Sequence, residues 1–149
     1  MKQLLTLFLC GLFVLAAPAC AQRIIQNPKA LGCLNVSGGE LKASKVVFAD
    51  TATTVQFTMD YPAGSTFRIA GTSYLVDENN RRYPVRSAEG LPLDAWMTSP
   101  ASRTTDFKLH FEPLPKRTRV FDFFEYDGRG AFMLQGIHDG KRKLKIKTL

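Results

Sequence analysis

Three features of this sequence predict an all-β fold, with antiparallel sheets pressed face to face. Apolar residues recur at every second position in several short segments, turn-forming residues separate those segments, and helical periodicity is almost absent. The clearest segments are Thr54 to Met59, where Val55, Phe57 and Met59 share one face, and Phe107 to Phe111, where Lys108 and His110 take the other. A side-chain repeat of two collects the apolar groups on one sheet face, which must then be covered. A second sheet is the simplest cover, so the sequence predicts a sandwich.

Further strands are predicted at Lys45 to Phe48, Thr66 to Ala70, Ser73 to Val76, Arg82 to Ser87, Arg119 to Glu125 and Phe132 to Ile137. Asp60-Tyr61-Pro62-Ala63-Gly64, Glu78-Asn79-Asn80 and Tyr126-Asp127-Gly128-Arg129-Gly130 supply the turn chemistry between them. Pro113-Leu114-Pro115 ends the strand before it, because proline brings no backbone donor to a ladder. Leu91 to Arg103 shows no clear period and contains Pro92, Trp96, Met97 and Pro100, so it is read as a loop crossing between sheets. Trp96 there either covers the open end of the core or, with Met97, forms an exposed contact point.

The amino-terminal 21 residues are set apart from the fold. Lys2, the apolar run Leu4 to Ala17 and the small residues that follow have the plan of a secretory signal, and the run is short for a ~30 Å hydrocarbon core. Ala19-Cys20-Ala21 offers a small-x-small cleavage site before Gln22, the favoured reading. In the alternative, Cys20 is the lipid-modified first residue of a lipoprotein, although Ala17 stands where such signals usually carry leucine. The mature chain is then 149 minus 21, or 128 residues, in a single domain at 22–149. The expected compartment is periplasmic or secreted, with lipid anchoring through Cys20 as the alternative and no membrane span in the mature form.

Cysteine and charge bound the partners. Cys10 and Cys20 belong to the signal, so mature Cys33 has no intrachain partner and reads as a small buried apolar residue more than as a reactive thiol. Of 20 basic residues only Lys2 leaves with the signal, so the mature excess over 13 acidic residues is +6. Much of it lies in a basic tail, Lys141, Arg142, Lys143, Lys145 and Lys147. Such a run can attract anionic head groups or polysaccharide. Its alternation from Lys143 to Lys147 also fits a terminal edge strand protected by lysines. No nucleic-acid motif is present, and nucleic acid is not an expected partner.

The landmarks Tyr74-Leu75, Tyr83-Pro84-Val85, Ser87-Ala88-Glu89-Gly90-Leu91 and Leu93-Asp94, followed by Phe107 to Pro115 and Phe121-Asp122-Phe123-Phe124-Glu125, carry a family resemblance. Over roughly Val46 to Ile137 the chain resembles the immunoglobulin-like domain that precedes the thioredoxin-like domain in periplasmic TlpA-like disulfide reductases of anaerobic Gram-negative bacteria. The resemblance implies an immunoglobulin-like β-sandwich of about seven to nine strands and the same compartment; a thioredoxin-like protein is one candidate for the envelope partner expected below. It does not extend to the reaction. Disulfide reduction needs a Cys-x-x-Cys pair, one thiolate to attack and one to resolve the mixed disulfide, and this sequence has none.

No other chemistry is assembled by motif. His110 and His138 lie in different predicted strands, Asp77-Glu78-Asn79-Asn80 lacks calcium-loop spacing, and there is no Gly-x-Ser-x-Gly elbow. Neither cofactor nor metal is expected, and no residue is assigned a catalytic role. The leading expectation is a non-catalytic module that docks on an envelope protein through the surface around Trp96 and Met97. The second is a carbohydrate or envelope-polymer binder using the loop aromatics Tyr61, Trp96 and Tyr126. The third is a hydrolase with carboxylates from Glu112, Asp122 and Glu125, which would require a concave pocket with a buried carboxyl.

Overall fold

The two-residue beat builds strands throughout. The computed structural model describes residues 21–34, 36–126, 131–141 and 143–144. Among these the strands are Arg23–Gln26 (β1), Gly32–Leu34 (β2), Glu40–Phe48 (β3), Thr53–Asp60 (β4), Thr66–Phe67 (β5), Tyr74–Asp77 (β6), Arg82–Glu89 (β7), Met97–Thr98 (β8), Thr104–Phe111 (β9), Val120–Tyr126 (β10) and Ala131–His138 (β11). Nine of them form one antiparallel curled sheet in the order β1-β3-β4-β9-β7-β6-β10-β11-β2, and β5 pairs with β8 in a small second sheet. No helix long and apolar enough to cross a membrane occurs among the described residues.

Curling lets one continuous sheet cover its own apolar face. β7 is the hinge: its first residues pair with β6 (Tyr83 opposite Leu75), and from Val85 onward the strand pairs with β9 (Val85 opposite Phe111, Ala88 opposite Leu109), with a register shift between Val85 and Ser87. A bulge of this kind bends a strand and increases its twist, so one strand serves both halves. Across the resulting gap the ring of Phe57 on β4 lies 4.8 Å from Phe123 on β10, and Phe48 on β3 meets Phe121 edge-on at 6.0 Å. These strands are not neighbours in the sheet, so the two halves face each other over a shared core.

The other edge is nearly sewn shut. β1 pairs with β3, then Asn27 turns with a positive φ of 48°, and the chain crosses to the far half, where Lys29 bridges His138 and β2 pairs with β11. Sequence reading found neither β1 nor β2. In Arg23-Ile24-Ile25-Gln26 two adjacent isoleucines break the alternation: Ile25 is buried while Ile24 stays exposed. β3 also starts earlier than predicted, because its bulge between Ala43 and Lys45 disrupts the period that reading relies on.

Elsewhere the expected patterns hold. Val55, Phe57 and Met59 are buried, as are Phe107, Leu109 and Phe111. β9 ends at Phe111, before Pro113, and Leu114 turns into the core while its N–H donates to the buried Thr53 hydroxyl at 2.9 Å. The 91–103 segment differs from its reading as loop throughout: Met97–Thr98 forms β8 against β5. A two-residue strand is too short to show alternation. The Asp77 turn is a hairpin corner, as expected. Asp77 Oδ1 accepts from the Asn79 and Arg81 amides, and Tyr83 donates its hydroxyl to Oδ2 at 2.8 Å. Cys33 is a free thiol, half-buried and packed against the core.

Candidate ligand cleft

At one end of the curled sheet the core opens into a cleft of about 310 Å³. Its walls come from the turn before β3 (Val36, Ser37), the exit of β4 (Tyr61), β5 with the residue after it (Phe67, Arg68), Trp96, and the strand ends at Glu125 and Phe132. Antiparallel registers put these residues together: β4 ends where β9 begins, Asp60 opposite Thr104, and β10 ends where β11 begins, Tyr126 opposite Ala131.

The rim is held by backbone bonds. Pro62 starts a turn closed by the Ser65 amide on the Pro62 carbonyl, with Gly64 at a positive φ of 78°. Tyr61 is fixed twice: its N–H donates to the Arg103 carbonyl at 2.9 Å, and its carbonyl accepts from the buried Ser99 hydroxyl at 2.7 Å. Arg103 sits at a positive φ of 66° and sends Nε and Nη2 to Asp60 Oδ1, with a further bond to the Gly38 carbonyl. One guanidinium thus ties three rim segments. The Tyr61 ring meets Phe67 edge-on at 6.0 Å.

Trp96 is 64% exposed, and the Arg68 guanidinium lies 5.3 Å from its ring centre. Trp96 therefore does not bury itself over the open end of the core, as a core-covering tryptophan would; its ring stands in solvent at the rim. Its segment is held back against the sheet by Asp94, which adopts a positive φ, receives the Gly71 amide on Oδ1 and donates its own N–H to the Ile69 carbonyl. Met97 stands apart from Trp96 because the two adjoin in an extended segment: it pairs with Phe67 and packs half-buried against the core.

At the cleft floor stands Glu125, only 6% exposed, with Oε1 accepting the Ala70 amide at 3.0 Å. The sequence offered Glu125 only as one of three hydrolase carboxylates and not as part of the surface around Trp96. The signal was present. Phe121 and Phe123 fill inward positions of β10, and the next inward position holds a carboxylate. Asp122 points to the opposite face, where it accepts the Gly136 amide at 2.6 Å. Glu112 follows β9 at the end far from the cleft and faces Arg86 at 3.8 Å. The three carboxylates of the hydrolase reading are therefore not brought together.

Tyr126 is the last residue of β10 and nearly half exposed, but it follows Glu125 and so takes the face away from the cleft; its carbonyl accepts from the Thr72 hydroxyl. Of the four predicted surface residues, the fold gathers Tyr61 and Trp96 and sets Met97 and Tyr126 aside. Arg68 and Phe132 join them unpredicted, as does Glu125, which the sequence offered only for the hydrolase reading.

A second polar arrangement crosses the outer face of the sheet. Glu89 accepts from Lys108 Nζ at 3.2 Å and meets His110 Nε2 at 2.8 Å, and His110 Nδ1 lies 2.9 Å from the Thr54 hydroxyl. The bonds from Lys108 and His110 hold the Glu89 carboxyl below its usual range. The order carboxylate–imidazole–hydroxyl is that of a nucleophilic triad. However, Thr54 and His110 lie mid-strand, each with an antiparallel neighbour on both sides, so their backbone amides belong to ladders and supply no oxyanion donors. It is a cross-strand polar row.

No group of three or more His, Cys, Asp or Glu side chains suited to hold a metal occurs among the described residues. Cys20, Arg142, Lys145 and Lys147 lie outside the described residues. Lys141 and Lys143 are exposed at the pole opposite the cleft, and Lys143-Leu144 is not in a strand. The chain matches no family model, no curated protein and no solved structure.

Proposed function

We propose that this chain is an exported, non-catalytic immunoglobulin-like β-sandwich module that binds an envelope protein through the cleft beside Trp96. The observation that carries the reading is the exposure of a tryptophan at the rim of an apolar cleft whose walls are fixed by hydrogen bonds. Aromatic anchors seated beside preformed pockets dominate protein interfaces, and a rigid rim lowers the ordering cost of binding.

Strand order supports the immunoglobulin-like assignment. β3-β4-β9-β7 follows the A-B-E-D order of one sheet, and β6-β10-β11 follows the C-F-G order of the other. In that scheme the cleft lies between the B–C connection and the flank of the F–G connection, an end that such domains commonly use for binding. The resemblance to the accessory domain of TlpA-like reductases supports a thioredoxin-like protein as the partner and the periplasm as the compartment, with Cys20 lipidation as the alternative to release.

A saccharide is the second reading. Tyr61 and Trp96 line the same cleft as Arg68 and Glu125, and sugars take aromatic rings together with polar contacts of this type.

The test uses the fact that Trp96 is the sole tryptophan. Its fluorescence is titrated with a purified thioredoxin-like protein from the same envelope and with a panel of envelope saccharides. A saturable blue shift with the protein, lost in Arg68→Ala, supports the first reading; the same response to one saccharide class moves the assignment to the second. An emission unchanged by both rejects the cleft as the binding surface.

A further inference from the structure

We propose that the pole opposite the cleft is a membrane-docking surface that receives the phosphate groups of an anionic bilayer. A groove of about 690 Å³ lies there, lined by Arg23 at the start of β1, Lys116 and Arg117 after β9, Arg119 before β10, and Lys141 after β11. Five cations meet two carboxylates, Glu78 and Asp139. Those two are partly occupied within the fold: Glu78 accepts the Val120 amide at 3.1 Å and Asp139 the Lys141 amide at 3.0 Å.

The cations divide into scaffold and docking groups. Arg23 lies over the Phe48 ring at 4.7 Å and donates to the carbonyls of Lys116 and Thr118, so it ties β1 to that turn. Lys116 pairs with Asp50 at 2.6 Å. Arg117 and Arg119 flank the buried Thr118 and are both exposed, which places two guanidinium groups outward from a turn fixed from beneath. Guanidinium suits phosphate because its planar donors match two oxygens at once.

Charge favours an anionic bilayer as occupant, and in the lipoprotein alternative the path of the chain brings one to this pole. Arg23 stands three residues after Cys20 and six after the apolar run ending at Ala17. Three extended residues reach only about 10 Å. That is close to the screening length at moderate salt, ~10 Å. A lipid on Cys20 would therefore hold this pole against the head groups and turn the Trp96 cleft outward. A single acyl chain anchors weakly and needs a second, basic signal, which the groove provides. The inference rests on the envelope placement proposed above; the vesicle experiment below reads the groove alone, so either can fail without the other.

The protein for the test is the chain from Gln22 to Leu149, which contains the eleven strands of the described residues and the core from Ile25 to Ile137. Sedimentation with phosphatidylcholine vesicles, with and without a quarter phosphatidylglycerol, should give binding to the anionic vesicles only. The variant Arg117→Glu with Arg119→Glu should lose at least tenfold in partitioning, from roughly fivefold per residue near the surface. The milder Arg117→Ser with Arg119→Ser, matched to wild type in melting temperature, should also lose several-fold. Unchanged binding in both variants, equal binding to neutral vesicles, loss only on replacing Lys143, Lys145 and Lys147 by Ser, or tighter capture by soluble dextran sulfate would each overturn the proposal.

Discussion

Phe123 and Phe124 are adjacent, chemically identical and opposite in environment, so replacing each by Ala measures the sheet's inside against its outside. Phe123 is 0% exposed and its ring lies 4.8 Å from Phe57, 6.0 Å from Phe111 and 6.3 Å from Phe132, joining both halves of the sheet. Phe124 is half-buried on the outer face, stacked on Tyr74 at 5.4 Å and nearly parallel to it. Phe123→Ala empties a site walled by strands that cannot close upon it, and such truncations cost about 3–5 kcal/mol. Phe124→Ala removes one half-buried ring pair, worth about 0.5–1.5 kcal/mol, plus part of its area burial. The expected gap between the variants is about 2–3 kcal/mol by these figures. Equilibrium urea unfolding by circular dichroism reads it directly, and a two-state fit with an unchanged m-value is required for comparison. Equal losses, or a larger loss at Phe124, would refute the assignment of β10's faces, and with it the burial of Glu125 at the cleft floor.

Trp96→Ala should leave the urea midpoint nearly unchanged, because the ring is mostly solvent-exposed, while weakening partner binding by about 2 kcal/mol, or roughly 30-fold, in calorimetry. Gly90 has a φ of 87°, and a Cβ there would sit 2.8 Å from the Asp106 carbonyl and 3.2 Å from Phe107 Cα. Gly90→Ala should therefore cost more than the ~1–2 kcal/mol of left-handed strain alone. At Gly64, where φ is 78° and no atom lies within 4 Å, Ala should cost only that strain; comparing the melts of both variants checks this. Burial raises the proton affinity of Asp77, but hydrogen bonds from the Arg81 amide, the Tyr83 hydroxyl and the Asn79 amide outweigh it and hold the carboxyl below its ordinary 3.8. A depressed folded value means stability that is present above the unfolded pKa and lost as pH falls through the folded one. The advantage of wild type over Asp77→Ala, about 1 kcal/mol at neutral pH, should thus shrink only below about pH 4; an advantage constant down to pH 2 in acid-unfolding curves would contradict the turn's charge-assisted bonding.

How much of this protein was legible in the sequence follows from which interactions are local. Alternation in Val55-Phe57-Met59 and Phe107-Leu109-Phe111 assigned strand type and inward face, since side-chain direction in a strand is set by the backbone every two residues. Pro113 and the Asp77-to-Asn80 corner marked ends for equally local reasons: a missing donor, and side chains that bond their own turn. Pieces that are very short or lack alternation, such as β1, β2 and β8, escaped, because their strand character comes from a partner distant in sequence. The pairing of β7 with both β6 and β9, which curls the sheet, also depends on such partners. The candidate cleft shows the same division. Tyr61 and Trp96 were visible as loop aromatics, but the choice of them over Tyr126 and Met97 followed from which face each strand turns to the core. Glu125 entered the cleft because curling left the last inward position of β10 at an open end, where a carboxylate can stand beside the Ala70 amide. The amino-acid order alone determined the repeat that makes apolar faces; only closure of the sheet decided which polar groups meet at its two poles, because that juxtaposition joins residues far apart along the chain.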